Sequence, residues 1–251
     1  MDQHKETRHI VIYGYTHDEL SRVMRHFEDQ LPEYVKITID SSALVAKITL
    51  TGINTGVELL RFKMNKYHRY LNDIFTTDVV SMDGHMPAEL LGSLLKERDL
   101  TVSFAESCTG GNLAHRITCI PGSSAYFLGS VVSYSNDVKA NVLGVSRGDL
   151  SQYGAVSSQV VRGMVDGVAR LMRSDCAIAT SGIAGPDGGT RLKPVGTVWM
   201  AARVHDKVAI ECRHFDGDRG TVIESATNHA LVMLINLLRN SYVETEDFND
   251  E

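Results

Sequence analysis

A short apolar segment that runs directly into a polar, glycine-containing turn most constrains the fold of this chain. Residues 101–105 (TVSFA) have the composition of a buried strand, and residues 106–111 (ESCTGG) follow at once. Small and apolar residues then recur at helical spacing from Leu113 to Ile117. A strand, a tight turn and a helix in succession are typical of α/β domains, so Ser107 is predicted to lie on a strand-to-helix turn.

The chain after residue 82 extends this pattern into a complete domain. Strands are predicted at 101–105, 129–134, 176–180, 196–204 and 207–215, and helices at 88–96, 111–117, 138–143, 158–172 and 221–238. The last two strands flank His205-Asp206 as a hairpin, which requires an antiparallel pair in the sheet. Residues 83–251 are therefore predicted to form an α/β domain, a three-layer α/β/α sandwich with a mixed sheet.

Residues 1–82 are predicted to form a separate, small α+β domain. A β-rich run at 9–15 is followed by the capping box Thr16–Glu19, which opens an amphipathic helix that ends at Pro32. Two alternating segments, 35–40 and 44–51, read as paired strands, and a second helix begins after Thr55. The predicted order is β-α-β-β-α, and the Met86-Pro87 step marks the start of the next domain.

Two residues 32 positions apart, Ser107 and Lys139, form the candidate catalytic pair. A serine hydroxyl becomes a nucleophile when a base accepts its proton, and a lysine can be that base only when it is held neutral. The residues alone leave plainer functions open, because Ser107 could simply cap its helix and Lys139 could be an exposed helical lysine. Cys108 is a rival nucleophile, since a thiol at a helix N-terminus has a lowered pKa.

Six motifs carry a resemblance to a known family. They are AESCTGG (105–111), IPGSSAYFLGSVVSYSNDVKANVLGV (120–145), GAVSSQVV (154–161), TSGIAGPDGGT (180–190), KPVGTVW (193–199) and FDGDR (215–219). Over residues 83 to about 239 the chain resembles the C-terminal domain of the CinA (competence/damage-inducible) family, which includes the PncC-type amidohydrolases. Residues 1–82 resemble the KH-like domain that precedes it in longer CinA proteins. The resemblance implies hydrolysis of the carboxamide of nicotinamide mononucleotide to nicotinate mononucleotide and ammonia, without a metal or organic cofactor.

The resemblance also implies roles for individual residues. Ser107 and Lys139 hold the positions of the dyad, and Tyr134 could relay protons to Lys139 or orient it. Backbone N–H groups of Cys108, Thr109 and Gly110 are expected to hold the oxyanion. The expected substrate-binding residues further along the chain are Ser123, Ser124, Thr180, Gly182 and, for the phosphate, Arg219. The plainer alternatives are a crossover loop after Thr180 and an exposed ion pair at Arg219.

Charge and composition argue against several other classes of protein. The net charge is −6, and residues 1–85 carry 10 Lys/Arg against 12 Asp/Glu, whereas a nucleic-acid-binding domain is usually basic. The glycines nearest to a GXXG loop, Gly52 and Gly56, have three residues between them. Nucleic-acid binding by the first domain is therefore disfavoured, and a docking or dimerisation role, with a homo-oligomeric protein, is predicted.

The remaining sequence features predict a protein of the cytoplasm. No apolar run approaches the roughly 20 residues that span a bilayer, so membrane insertion is not expected. The four cysteines are scattered, no histidines pair as HxH or HxxxH, and no signal-peptide core is present, which predicts reduced thiols and no metal site. Two other functions stay open: a catalytically silent, pyridine-nucleotide-binding regulator, and a competence or damage-response adaptor.

Overall fold

The computed structural model describes residues 3–246, and their side chains as far as residue 241. The chain divides into two compact units, Met1–Pro87 and Ala88–Glu251. The division falls at the Met86-Pro87 step that was predicted to start the second domain, five residues after the predicted bound at residue 82.

The first unit is an antiparallel sheet with two helices. Its elements are β1 (His4–Tyr13), α1 (His17–Glu28), β2 (Val35–Ser42), β3 (Val45–Asn54), α2 (Val57–Phe75) and β4 (Val79–Ser81). The strand order is β2-β3-β1-β4, and every neighbouring pair is antiparallel. This is the split β-α-β arrangement of ferredoxin-like domains. The strand β4 was not predicted, because three residues are too few to show a period of two; the KH-like assignment stays a prediction.

Local sequence signals explain how the first unit forms. The Thr16 hydroxyl accepts the N–H of Glu19 while the Glu19 carboxylate accepts the N–H of Thr16, which completes the predicted capping box of α1. Apolar residues of both helices then pack on one face of the sheet around the fully buried Ile10 and Ile48. The unit therefore has its own hydrophobic core.

The second unit contains five strands and six helices of the α type within the described residues. In chain order they are α3 (Pro87–Glu97), β5 (Val102–Glu106), α4 (Asn112–Thr118), β6 (Phe127–Val132), α5 (Asn136–Asn141), α6 (Arg147–Tyr153), α7 (Ser158–Met172), β7 (Cys176–Gly182), β8 (Thr197–Val204), β9 (Lys207–His214) and α8 (Arg219–Glu246). The sheet order is β6-β5-β7-β8-β9. Strand β5 is parallel to β6 and β7, whereas β7, β8 and β9 are antiparallel, so the predicted mixed sheet is confirmed.

Helices cover both faces of this sheet, which confirms the three-layer prediction. Helix α7 packs on β5, β7, β8 and β9, while α4 and α8 contact each other and cover the opposite face. Under α7, Ala105, Ala179 and Ala201 lie side by side on neighbouring strands. Their small side chains let the helix approach the sheet closely. Helix α6, which packs against α7, was not predicted.

Helix α8 supplies most of the core on its face of the sheet. Residues Arg219–Ser241 are long and apolar enough to cross a membrane by length and composition alone, with a mean hydropathy of 1.2, but 72% of that window is buried inside the protein. Such burial is typical of the core helix of a soluble α/β domain.

Candidate active site

A cavity of about 240 Å³ opens at the carboxyl ends of the parallel strands β5 and β7. This edge of an α/β sheet is where ligands commonly bind. The lining residues come from five segments: Ser107, Cys108, Tyr134, Lys139, Ala155, Val156, Ser181, Gly182, Ala184 and Arg219. Six of the predicted site residues (Ser107, Cys108, Tyr134, Lys139, Gly182 and Arg219) therefore meet at one cavity.

The Lys139 amine lies within hydrogen-bond distance of the Ser107 hydroxyl. Lys139 Nζ donates to Ser107 Oγ at 3.0 Å, to the Ser133 carbonyl at 2.5 Å and to the Tyr134 carbonyl at 3.5 Å. The side chain is 1% exposed. Helix α5 places it, because the Ser135 hydroxyl caps the helix by accepting the N–H of Val138 one position before the lysine. The alternative of an exposed helical lysine is wrong.

Burial also changes the protonation of this amine. Desolvation lowers the pKa of Lys139 below its ordinary value of 10.5, since an ammonium ion loses its hydration in the interior. Among the ion pairs of the described residues, none involves Lys139. The ammonium form is stabilised by three neutral oxygen acceptors rather than by a carboxylate. The surroundings thus favour the neutral amine that a base requires.

Ser107 is not a helix cap. Helix α4 begins at Asn112, five residues later, and its N-cap is Gly111, which has a left-handed backbone (φ 104°). The N–H of Ser107 instead donates to the Thr180 carbonyl at 3.0 Å, which holds the serine against the end of β7. The side chain is consequently free to reach the amine of Lys139.

Burial shifts the pKa of the neighbouring Cys108 thiol upward, whereas a helix N-terminus would lower it. Cys108 is 6% exposed, and burial raises its pKa to about 12. The ordinary thiol value is 9.0. At neutral pH the sulfur is therefore a protonated thiol on the wall of the cavity, and the argument for a thiolate nucleophile at Cys108 fails.

Thr109 and Thr180 lie beneath the cavity rather than in its wall. Both are buried, and their hydroxyls are 2.8 Å apart. Thr109 Oγ1 also donates to Glu106 Oε2 at 2.8 Å. Neither side chain lines the cavity of this chain. The backbone N–H of Thr109 stays a predicted oxyanion donor, whereas the period of two along β7 turns the Thr180 side chain away from the cavity that Ser181 and Gly182 line.

Gly110 closes the turn that follows Ser107. Its N–H, predicted to be an oxyanion donor, donates to the Ser107 carbonyl at 3.2 Å in this structure. Its backbone is left-handed (φ 61°), as is that of Gly111. Within residues 3–246, the N–H groups of Cys108 and Thr109 donate to no backbone carbonyl, and both lie close to the Cys108 sulfur. They remain the candidate oxyanion donors of the turn.

Tyr134 and Arg219 form a pair at the cavity. Arg219 Nη2 donates to the Tyr134 hydroxyl at 3.1 Å, and Nη1 donates to the Gly185 carbonyl at 2.8 Å. The Tyr134 hydroxyl thus positions a guanidinium group, and only the backbone carbonyl of Tyr134 faces Lys139. Of the two roles predicted for Tyr134, this contact suits orienting Lys139 through the backbone, whereas the side-chain hydroxyl that a proton relay would need points to Arg219. Arg219 has no carboxylate partner within the described residues, which removes the ion-pair alternative.

Ser123 and Ser124 do not reach this cavity within the chain. They lie in a single 3₁₀ turn, Ser123–Ala125, immediately before β6. Because β6 is parallel to β5, residues before β6 lie at the amino edge of the sheet, whereas Ser107 follows β5 at the carboxyl edge. The structure does not bring either serine to this cavity, and their predicted role in substrate binding stays a prediction.

Several residues of the site were missed by the sequence analysis. Ala155, Val156 and Ala184 form an apolar wall, and Ser181 Oγ donates to the Ala155 carbonyl at 2.7 Å, which ties the loop before α7 to β7. Glu106 is fully buried and accepts five hydrogen bonds. A carboxylate at the end of an otherwise uncharged strand was the available signal. Among residues 3–246, no group of three His, Cys, Asp or Glu side chains could hold a metal ion.

The fold and the site define a class: a mixed-sheet α/β domain with a serine and a buried lysine paired at the carboxyl edge of the sheet. Residues 85–238 match the family model described as the CinA C-terminal domain. The chain belongs to this family.

Known relatives agree with that assignment. A CinA-like protein of Endomicrobium trichonymphae is 39% identical over 80% of this chain and 47% of its own length. The nicotinamide-nucleotide amidohydrolase PncC of Escherichia coli K12 is 50% identical over 59% of this chain and 90% of its own length. The crystal structure of the competence/damage-inducible protein CihA from Agrobacterium tumefaciens superposes with a TM-score of 0.59, at 39% identity, over 60% of this chain and 93% of the other. The chain spans about half the length of the CinA-like relatives.

Proposed function

We propose that the chain hydrolyses the carboxamide of nicotinamide mononucleotide to nicotinate mononucleotide and ammonia. The observation that carries this proposal is the 3.0 Å contact between Ser107 Oγ and the buried amine of Lys139 at the wall of a cavity. The likeness to the PncC amidohydrolase over 59% of this chain supports the same class of reaction.

In the acylation step, neutral Lys139 accepts the proton of Ser107 as the serine oxygen attacks the carboxamide carbon. The N–H groups of Cys108 and Thr109 hold the negative charge that develops on the carbonyl oxygen. The lysinium then protonates the amide nitrogen as the C–N bond breaks, and ammonia departs. These steps leave an ester between Ser107 and the nicotinoyl group, with Lys139 neutral again.

In the deacylation step, Lys139 takes a proton from water, and the resulting hydroxide attacks the ester carbon. The lysinium returns this proton to Ser107 Oγ as the ester bond breaks, which regenerates the dyad. The net reaction consumes one water and yields the carboxylic acid and ammonia. Serine and lysine provide the nucleophile, base and acid, so the mechanism that we propose uses no metal or organic cofactor.

Substrate binding is assigned to the rest of the cavity. The guanidinium of Arg219, held in place by Tyr134 and the Gly185 carbonyl, suits a phosphate because its planar donors match phosphate oxygens. The apolar wall of Ala155, Val156 and Ala184 offers a surface for the flat pyridine ring. We further propose a cytoplasmic protein of the pyridine nucleotide salvage cycle that forms homo-oligomers, with the first unit as a docking module.

Ammonia release with nicotinamide mononucleotide tests the proposal. Ser107→Ala and Lys139→Ala should each abolish turnover, and Lys139→Arg should also fail because a guanidinium cannot act as a neutral base. Cys108→Ala is the matched control, and it should keep turnover within a few-fold because the thiol is protonated. Binding of nicotinamide mononucleotide without ammonia release by the wild-type chain would instead favour a catalytically silent regulator. If Cys108→Ala abolishes turnover while Ser107→Ala keeps it, the nucleophile is Cys108 and not Ser107.

A further inference from the structure

Glu106 is a buried charge for which the proposed mechanism has no use. Of all the Asp, Glu, Lys and Arg residues whose side chains the structure describes, only Glu106 and Lys139 are buried. They flank the nucleophile, since Glu106 precedes Ser107 in sequence and Lys139 donates to its hydroxyl. A buried carboxylate is costly unless hydrogen bonds compensate it, so its retention beside the nucleophile calls for a physical reason.

The five donors to the carboxylate come from the turn that follows Ser107, from the first residues of α4 and from β6. Oε2 accepts the N–H of Gly111 at 3.0 Å, the N–H of Leu113 at 3.0 Å and the Thr109 hydroxyl at 2.8 Å. Oε1 accepts the N–H of Ala114 at 3.1 Å and the Ser130 hydroxyl of β6 at 2.9 Å. One side chain thus satisfies three of the N–H groups at the start of α4, which otherwise lack partners in a helix.

The same network holds the two residues of the dyad. The Glu106 carbonyl accepts the N–H of Ser133 at 2.8 Å, and the Ser133 carbonyl accepts the Lys139 amine. Thr109 joins the carboxylate to the Thr180 hydroxyl of β7, and the Thr180 carbonyl accepts the N–H of Ser107. Glu106 therefore connects the turn to both strands that neighbour β5.

We propose that Glu106 is a positioning residue that fixes the 107–111 turn so that the N–H groups of Cys108 and Thr109 face the reacting carbonyl. By accepting the N–H groups of Gly111, Leu113 and Ala114, the carboxylate also occupies the start of α4. That helix start is consequently closed to the substrate phosphate and to the oxyanion, both of which must use other donors. This inference rests on the proposed acyl-transfer function of the site.

Two variants perturb the network without removing the nucleophile or the base. Glu106→Gln keeps the shape but replaces an acceptor oxygen with an N–H₂ group that faces N–H donors. Thr109→Val keeps the carboxylate and removes the hydroxyl between Glu106 and Thr180; Thr109→Ser restores that hydroxyl. The matched control is Asp175→Asn, because Asp175 Oδ2 accepts the N–H and hydroxyl of Thr101 at the other end of β5.

The test measures steady-state ammonia release from nicotinamide mononucleotide and, separately, the rate at which a fluorophosphonate probe labels Ser107. We expect kcat to fall about 10²-fold to 10³-fold in Glu106→Gln, as for loss of an oxyanion donor, with KM changed by less than about three-fold. Labelling should slow at least ten-fold. Thr109→Val should also lower kcat and the labelling rate, and Thr109→Ser should restore both. Asp175→Asn should lower the thermal stability and leave kcat unchanged.

The two readouts separate this inference from the proposed function. Wild-type labelling at Ser107 without ammonia release would contradict the substrate, and slow labelling of Glu106→Gln would still support the positioning role. Folded Glu106→Gln with wild-type kcat and labelling would overturn the positioning role and leave the proposed function intact. If Glu106→Gln does not fold, a Thr109→Val variant with wild-type kcat and labelling rate would overturn the positioning role of Glu106. A wild-type chain that shows neither turnover nor labelling contradicts both.

Discussion

Gly167, on helix α7, links the packing of the second unit to the position of Lys139, the proposed base. A Cβ placed on Gly167 would overlap the carbonyl oxygen of Leu143 and lie 2.9 Å from its carbonyl carbon. Leu143 follows α5, and the N–H of Val145 donates to the Lys139 carbonyl at 3.1 Å. Displacing Leu143 therefore moves the segment that carries Lys139. We predict that Gly167→Ala destabilises the unit and lowers activity, although α7 does not line the cavity.

Two opposing contributions determine how much Gly167→Ala changes the free energy of unfolding. Alanine is favoured over glycine inside a helix by about 1 kcal/mol. Overpacking typically costs about 1–3 kcal/mol, and here the obstacle is backbone that cannot change rotamer, so we take about 3 kcal/mol. The net loss is about 2 kcal/mol, which corresponds to a fall in Tm of about 4–8 °C for a unit of this size.

Gly163→Ala is the matched control, one turn earlier on the same helix. A Cβ on Gly163 would lie 3.5 Å from the two γ carbons of Val145, which is ordinary contact. The helix-propensity gain should therefore stand, and Tm should rise by about 2–4 °C. Trp199 is the single tryptophan of the chain and packs against the core beneath α7, so its fluorescence reports the melting of the second unit alone.

The comparison has a clear refuting result. If Gly167→Ala melts at the wild-type temperature or above Gly163→Ala, the close approach of α7 to Leu143 is not a constraint and the reasoning fails. If Gly167→Ala is destabilised but keeps wild-type kcat at 25 °C, the packing argument stands and the link from Leu143 to Lys139 is wrong.

Four further predictions concern the chemistry. The pKa of Lys139 is lowered by burial, so kcat/KM should rise with pH along a limb whose midpoint lies below 10.5, and activity should be lost as pH falls through that midpoint; a rate that falls with rising pH over this range would contradict a lysine base. Arg219→Gln should raise KM for nicotinamide mononucleotide much more than for the riboside, which lacks the phosphate; equal increases would remove Arg219 from phosphate binding. Exhaustive chelation should leave the rate of turnover unchanged; a loss of activity that added divalent ions reverse would show that the reaction needs a metal. A fragment of residues 82–251 should keep kcat within a few-fold while its sedimentation changes; a folded fragment that binds but does not turn over would show that the first unit completes the site.

The sequence predicted the elements that show an apolar pattern and missed two that show none. The helix at 158–172 was placed at its observed bounds, since its apolar residues repeat over four turns. Strand β4 has only three residues, and α6 has a single buried residue, Leu150, so neither shows an apolar repeat. The predicted hairpin around His205 was correct because two long apolar segments flank a two-residue turn.

The predicted site residues that lie away from the cavity have a common physical cause. Sequence proximity to a motif does not reveal which edge of a parallel sheet a residue occupies, and Ser123 and Ser124 lie at the amino edge, away from the cavity of this chain. Nor does a motif reveal the direction of a side chain. Strand alternation turns the Thr180 hydroxyl towards Thr109 and away from the cavity. The Tyr134 hydroxyl points to Arg219, which lies at the start of α8, far away in the sequence.

The separation of the two buried charges explains how the lysine can serve as a base. An ion pair between Glu106 and Lys139 would hold the amine protonated, because an adjacent carboxylate favours the charged form. The fold prevents this pairing among the described residues: the Glu106 carboxylate takes its hydrogen bonds from neutral donors at the start of α4, while the Lys139 amine meets only neutral oxygens. This arrangement supports the proposal that Lys139 acts as an amine base.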